Sequence, residues 1–380
     1  MKILVAGDYC PINRVAEKIN EGDFQMVLGD IRNVIKEVDY SVVNLECPVS
    51  ESKNNAIDKC GPNLSCTRKG VEALKWAGFN CVTLANNHFL DYGESGVEET
   101  LTACREIGLS VVGGGKNLKE ASGVLYINIG GKYIALINCC EYEFSIATET
   151  SSGSNPLNIV RQYYAIQEAK KKAAYVIVIV HGGVELFWLP SQRMIETYRF
   201  FIDAGADTVI NHHQHCYSGF ETYKGKPIFY GLGNFCFDKE TADYRWTSGY
   251  MVVLEYDGTV DCIKFDIIPY RQCSEDASVR ILKGGREREN FNAKLNSYNE
   301  IIADDERRES EYKQWCLQKE GMYKLMLNPV NNRYLSWLFD GWMGKRLISK
   351  MKLLQMYDYL VNESHIERVR MLFNGEIIKR

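Results

Sequence analysis

The sequence predicts an α/β sandwich. Short apolar, β-rich runs alternate with amphipathic helical runs over the first two-thirds of the chain. A polar motif follows many of those runs directly, and glycines close several of the helices. All-apolar strands between amphipathic helices indicate a sheet covered on both faces.

Ile3–Ala6 reads as the first strand, ending at Gly7-Asp8. Residues 15–20 and 30–38 have helical spacing, and Ser41–Leu45 is a buried strand. Lys69–Ala77 fits a helix stopped by Gly78; Cys81–Leu84 is the next strand and Glu94–Ile107 the next helix, stopped by Gly108. Val124–Ile129 and Tyr133–Cys139 flank Gly130-Gly131, a hairpin signal. Residues 145–157, rich in Ser, Thr, Asn and Gly, read as a loop. Val160–Ala174 is helical, Tyr175–Val180 a buried strand, Gln192–Ala204 a helix and Thr208–Asn211 a strand. Ile228–Gly231 and Met251–Tyr256 extend the sheet, with Asp257-Gly258 as a turn. The pattern defines a domain over 1–270. From 271 to 380 charged residues dominate and β-branched runs fade, so this region is expected to be mostly helical.

The chain has 380 residues, 46% of them hydrophobic, enough for a sizeable core. A net charge of -4 gives no general attraction to nucleic acid or anionic membrane. The thirteen cysteines lack paired short spacings and suit free thiols in a reducing cytoplasm. The apolar run at the start is too short for a signal peptide and no later run is long enough to span a bilayer, so a cytoplasmic protein is expected.

Five motifs each follow an apolar strand: Gly7-Asp8, Asn44-Leu45-Glu46, Asn86-Asn87-His88, His181-Gly182-Gly183 and Asn211-His212-His213-Gln214-His215. Ligand sites of α/β sheets gather beyond the carboxyl ends of the strands. Carboxylate, amide oxygen and imidazole together suit one or two ions of Mn, Fe or Zn rather than a thiolate site. Five of the six histidines lie in these motifs. Taken singly each has a bland reading: Gly-Asp as a turn, a post-strand histidine as structural, Asn86-Asn87 as a helix cap. The His213-x-His215 pair is the most specific, and one carboxylate such as Glu46 can bridge two metals.

In these blocks the chain resembles the CapA-type proteins of capsule and poly-γ-glutamate biosynthesis, within the calcineurin-like metallophosphatase superfamily. The resemblance covers about residues 2–270 and is carried by GDYCPINR at 7–14, NLECPVS at 44–50, LANNHFLDYG at 84–93, HGGVE at 181–185, AGADTVINHHQH at 204–215 and YGLGNF at 230–235. It implies a four-layer α/β/β/α sandwich with a helical C-terminal extension. It implies Asp8 and His215 on a first metal, Asn87, His181 and His213 on a second, and Glu46 bridging. His88 would act beside the reacting phosphate as general acid or charge stabiliser, oriented by Asp91, with Arg14 and Asn234 near the site. The sequence departs from the pattern at Cys10, where the wider superfamily has a histidine ligand, at Gly182 in place of Trp, and at Asn211 and Gln214 in place of Gly and Pro.

The resemblance implies a metal-dependent phosphoester hydrolase acting on a phosphorylated small molecule or polymer-linked phosphate in cell-surface polysaccharide metabolism. Two other classes fit the family: an assembly factor acting on amide bonds of poly-γ-glutamate, and a non-catalytic polymer-binding scaffold. Trp337, Phe339 and Trp342 precede Lys345, Arg346, Lys350 and Lys352, and Leu347–Leu360 has helical spacing. Residues 337–360 fit peripheral membrane contact, contact with a polyanionic or polymer substrate, or a helix packed on the domain.

Overall fold

A computed structural model describes residues 1–326 except 53, 60, 242 and 257–262. The expectations for Asp257-Gly258 and for 337–360 lie outside the described residues. In chain order the elements begin β1 (Lys2–Cys10), α1 (Asn13–Glu21), α2 (Phe24–Ile35), β2 (Tyr40–Leu45), α3 (Arg68–Ala77), β3 (Cys81–Thr83), α4 (Gly93–Ile107), β4 (Ser110–Val112), β5 (Gly114–Gly115) and α5 (Leu118–Ala121). They continue β6 (Leu125–Ile129), β7 (Lys132–Cys140), β8 (Gly153–Ser154), α6 (Ile159–Lys172), β9 (Tyr175–His181), α7 (Gln192–Asp203), β10 (Thr208–His212), β11 (Phe220–Tyr223), β12 (Lys226–Phe229) and β13 (Asn234–Phe237). Last come α8 (Tyr244–Thr247), β14 (Ser248–Glu255), β15 (Lys264–Gln272), β16 (Val279–Ile281), α9 (Gly285–Ile302) and α10 (Asp305–Met326).

Two sheets form the domain. The first runs β16-β15-β14-β1-β2-β3-β4, with β13 beside the end of β1; the second runs β11-β12-β10-β9-β7-β6. The pairs β1–β2, β2–β3, β7–β9 and β9–β10 are parallel, so their carboxyl ends share a direction within each sheet. One face of the first sheet, with Leu4, Ala6, Val43, Leu45, Val82 and Leu84, packs against Val15, Ile19, Leu28, Ile31, Leu74 and Val97 of the helices. Helices α6 and α7 cover the second sheet. Between the sheets the Tyr175 and Tyr256 rings lie 4.1 Å apart, and Asn138 Oδ1 accepts the Ala85 N–H at 2.7 Å. The layers are therefore helix, sheet, sheet, helix, as expected.

Local chemistry explains the elements. Asp23, Asn158 and Ser191 cap α2, α6 and α7 with their side-chain oxygens. Gly78 and Gly108 end α3 and α4 in left-handed conformation. Strand β9 is buried along all seven residues, which accounts for its unbroken apolar sequence.

Some expectations need correction. Gly7-Asp8 is not a turn after β1 but lies inside it, because β13 pairs in parallel with Asp8–Cys10. A Cβ at Gly7 would stand 1.9 Å from the carbonyl oxygen of Gly233, so glycine is what allows β13 to approach. The compact unit extends through Ser310. It includes β16, paired with β15, and α9, whose Phe291, Leu295 and Tyr298 are buried. The region after 271 therefore begins with strand before turning helical. A second unit covers 311–380. No helix among the described residues is long and apolar enough to cross a membrane.

Candidate metal centre

The parallel strands deliver the polar motifs to one place. Asp8 lies near the end of β1, Glu46 follows β2, Asn86, Asn87 and His88 follow β3, His181 ends β9, and His212 ends β10. Register completes the alignment: Asp8 stands opposite Asn44 and His212 opposite His181. The stretch 145–157, read as a loop, supports the third motif. Ser154 Oγ donates to the Asn86 carbonyl at 2.9 Å, and Ser145 Oγ to that of Asn87 at 2.7 Å.

Two groups of three possible ligands result, Asp8–Glu46–His215 and Glu46–His181–His213, with all ligand atoms of each within 4.8 Å of one another and all residues buried. Glu46 belongs to both. Its Oε1 lies 3.6 Å from His215 Nε2 and 3.8 Å from His181 Nε2. His213 Nδ1 lies 3.1 Å from His181 Nε2, and Asn87 Oδ1 lies 3.0 Å from the same nitrogen. The six residues that the resemblance implies as ligands thus converge.

Their electrostatics fit a cation. Glu46 is 0% exposed and neither carboxylate oxygen has a hydrogen-bond partner. Burial pushes its pKa up, and the nearby Asp8 charge pushes it further. A carboxylate so placed must either stay protonated or face a positive charge. Burial would likewise raise Asp8, but the His212 ring 3.2 Å away, with those of His181 and His215, outweighs it and holds Asp8 below its usual range. Burial depresses His181, with the His213 ring adding to the effect, and burial also depresses His215. Neutral imidazoles beside an ionised carboxylate are the state that binds metal. The donor set of imidazole, carboxylate and amide oxygen fits a divalent transition ion.

Supporting contacts fix the donors. Asn44 Nδ2 donates to Asp8 Oδ1 at 2.7 Å, and His212 Nδ1 lies 3.2 Å from that oxygen. Asp8 Oδ2 accepts the His213 N–H at 3.2 Å. His215 Nδ1 lies 2.9 Å from Asn234 Oδ1, and its ring packs 5.0 Å from Trp246. His212 stood in the quoted motif without a role; its place against Asp8 depends on the facing sheets, which spacing does not reveal. Cys10, at the position of the missing histidine, packs in the core on the helix side of the first sheet.

His88 is buried beside the cluster. Its Nδ1 lies 2.7 Å from Asp91 Oδ2, so Asp91 does orient the ring. Asp91 also pairs with Lys59, a residue with no sequence signal. Arg14 is not brought to these residues. It forms a bidentate pair with Asp238, donates to the Cys273 carbonyl at 2.9 Å, and lines a separate cavity of about 930 Å³ with Asn13, Thr247 and Arg271.

Fold and site together define an α/β/β/α protein with a buried histidine–carboxylate centre compatible with divalent metal. Residues 2–239 match the family described as bacterial capsule synthesis protein PGA_cap, and the chain belongs to that family. It is similar to the capsule biosynthesis protein CapA of Bacillus anthracis, 34% identical over 247 residues that span 63% of this chain and 60% of that protein. It is also similar to the PGA biosynthesis protein CapA of Bacillus subtilis strain 168, 30% identical over 262 residues, 68% of each chain. Among solved structures, a putative 5'-nucleotidase from Staphylococcus aureus is 16% identical with a TM-score of 0.44, over 78% of this chain and 58% of that one.

Proposed function

We propose that the protein is a metal-dependent phosphoester hydrolase serving capsule or poly-γ-glutamate biosynthesis. The observation that carries this reading is the pair of ligand groups sharing the unpartnered Glu46. Asp8, Glu46 and His215 would hold one divalent ion; Glu46, His181 and His213, with Asn87, a second. Such ions supply Lewis-acid charge and an activated water. The chain's own residues do the rest. Asn44 holds Asp8 Oδ1, and Oδ2 accepts the His213 N–H, so the carboxylate is fixed between β2 and the His213 turn. His88, with Nδ1 occupied by Asp91, has Nε2 available to protonate or stabilise a leaving oxygen. The 930 Å³ cavity lined by Arg14, Thr247 and Arg271 would accommodate the remainder of a polymer-linked substrate.

The name of the Bacillus subtilis relative favours a second reading, action on amide bonds of the polymer. One experiment separates the two. Metal content of the purified protein is measured, then phosphate esters and γ-linked glutamate oligomers are assayed with Mn added. Free phosphate supports the hydrolase proposed here, and free glutamate the amide reading. Neither product from a metal-loaded protein would sink both.

A further inference from the structure

A buried ion pair lies behind His88 that metal binding does not require. Lys59 belongs to the connector between β2 and α3. Its side chain is 3% exposed and that of Asp91 0%. The Lys59 ammonium pairs with Asp91 Oδ1 and lies 3.0 Å from His88 Nδ1. Asp91 Oδ2 lies 2.7 Å from that same nitrogen and accepts the Leu64 N–H at 2.7 Å. Nδ1 has a single site in the ring plane; carrying its proton it donates to Asp91 Oδ2, and the Lys59 ammonium acts on the ring through Asp91.

Burying an ammonium costs several kcal/mol before pairing, and a buried pair seldom out-stabilises apolar packing. Stability alone is therefore a weak reason for Lys59 to be there. Geometry supplies a stronger one. A carboxylate holding an imidazole by one oxygen can still swing about its own bond. Lys59 on Oδ1 and the Leu64 amide on Oδ2 remove that freedom. The connector is tied to the same turn by the Ile57 N–H, which donates to the Asp91 carbonyl at 3.0 Å.

We infer that Lys59 is a positioning residue for His88. With Asp91 it clamps the ring from the Nδ1 side, so that Nε2 is the nitrogen offered to the reacting group. The clamp is a property of the folded protein; its use in turnover rests on the hydrolase reading above.

The test uses Lys59→Met, Lys59→Arg and Lys59→Gln, which keeps a hydrogen-bond donor beside Asp91 if the methionine change prevents folding. In metal-free protein with nitrogen-labelled histidine, the His88 Nδ1 proton is assigned by its loss in His88→Gln, and its solvent exchange is measured. Exchange should quicken by about tenfold or more in Lys59→Met and be largely restored in Lys59→Arg. Unchanged exchange in folded Lys59→Met, or in Lys59→Gln should the methionine variant not fold, overturns the inference. In metal-loaded protein, kcat on an alkyl phosphate should fall by about tenfold or more in Lys59→Met, with KM and bound metal unchanged. If the wild-type protein cleaves no phosphoester, the hydrolase reading fails while the exchange measurement still decides the clamp.

Discussion

The first sheet brings Asp8 and Glu46 to the centre on and just after extended strands, whereas the turn after β10 in the second brings His213 and His215 on strained backbone. Asp8 is fixed by strand pairing on both sides, to β2 and β13, and Glu46 N donates to the Tyr9 carbonyl at 2.9 Å. His213 and His215 instead have φ of 89° and 56°, conformations that cost a non-glycine residue about 1–3 kcal/mol each. Side chains hold that turn. Gln214 Nε2 donates to the Phe187 carbonyl at 2.8 Å, Asn211 Nδ2 to that of Gly182 at 2.9 Å, and Asn234 Nδ2 to that of His215 at 3.2 Å. Neither Gly at 211 nor Pro at 214 could make these bonds, so here hydrogen bonds do what proline's fixed φ and glycine's freedom do in the family pattern. One side of the centre is thus fixed by sheet register and the other by a polar scaffold that single substitutions can undo.

The largest effect should come from the nitrogen donors themselves. His213→Ala or His215→Ala should lose bound metal and with it all measurable hydrolysis, while circular dichroism stays near that of the wild type. Unchanged metal stoichiometry in both variants would remove the turn from the centre. His88→Ala should behave differently, keeping its metal but losing turnover by about 10²–10⁴-fold on an alkyl phosphate. The loss should shrink on a nitrophenyl ester, whose leaving oxygen needs less protonation. Metal lost from this variant would recast His88 as a ligand. A smaller effect is expected one step further out: Gln214→Ala should weaken metal affinity by about 10–100-fold. The matching change on the other side, Thr83→Ala, removes only a 3.1 Å bond to Asn44 Oδ1 and should weaken affinity far less. Equal losses in competition titrations with a chelating dye would refute the contrast between the two sides.

That contrast also marks what could be read from the sequence. The oxygen donors lie in or just after buried strands whose apolar runs are unmistakable, so Glu46 and Asn87 were legible in place, and Asp8 was found although β1 continues past it. The His213-x-His215 spacing was legible too, although the backbone that aims it was not. Strands β13, β15 and β16 escaped notice because they are short or carry polar residues. Strand β15 has Lys264, Asp266 and Arg271 in its length, and its burial alternates accordingly. Lys59 reaches His88 from a connector without periodicity, and nothing local announces it. Arg14 shows the reverse error: it sits in a site motif, yet its guanidinium turns to Asp238, on the segment after β13 that the periodicity did not reveal.

The smallest effect tests the oxygen side by itself and needs no substrate. In metal-free protein Glu46 has a raised pKa, chiefly from burial and then from the Asp8 charge, against an ordinary value of 4.5. The folded state then holds a proton that the unfolded state releases, so stability falls as pH rises from about 4.5 toward the raised value. Glu46→Gln removes that proton linkage. The metal-free variant should therefore melt a few degrees above the metal-free wild type at pH 8, and the gap should close near pH 4.5. Titrations of groups that do not interact with Glu46 cancel in the difference, and Asp8, which does interact, titrates below its ordinary 3.8 and so outside this window. Saturating Mn should reverse the order at pH 8, because an ion bound only by the folded wild type stabilises it by mass action while the variant has lost the shared carboxylate. Melting curves at the two pH values, with and without Mn, decide the matter. A variant that gains as much from the ion as the wild type would show that Glu46 faces no metal, and the centre would then lose the residue on which both ligand groups depend.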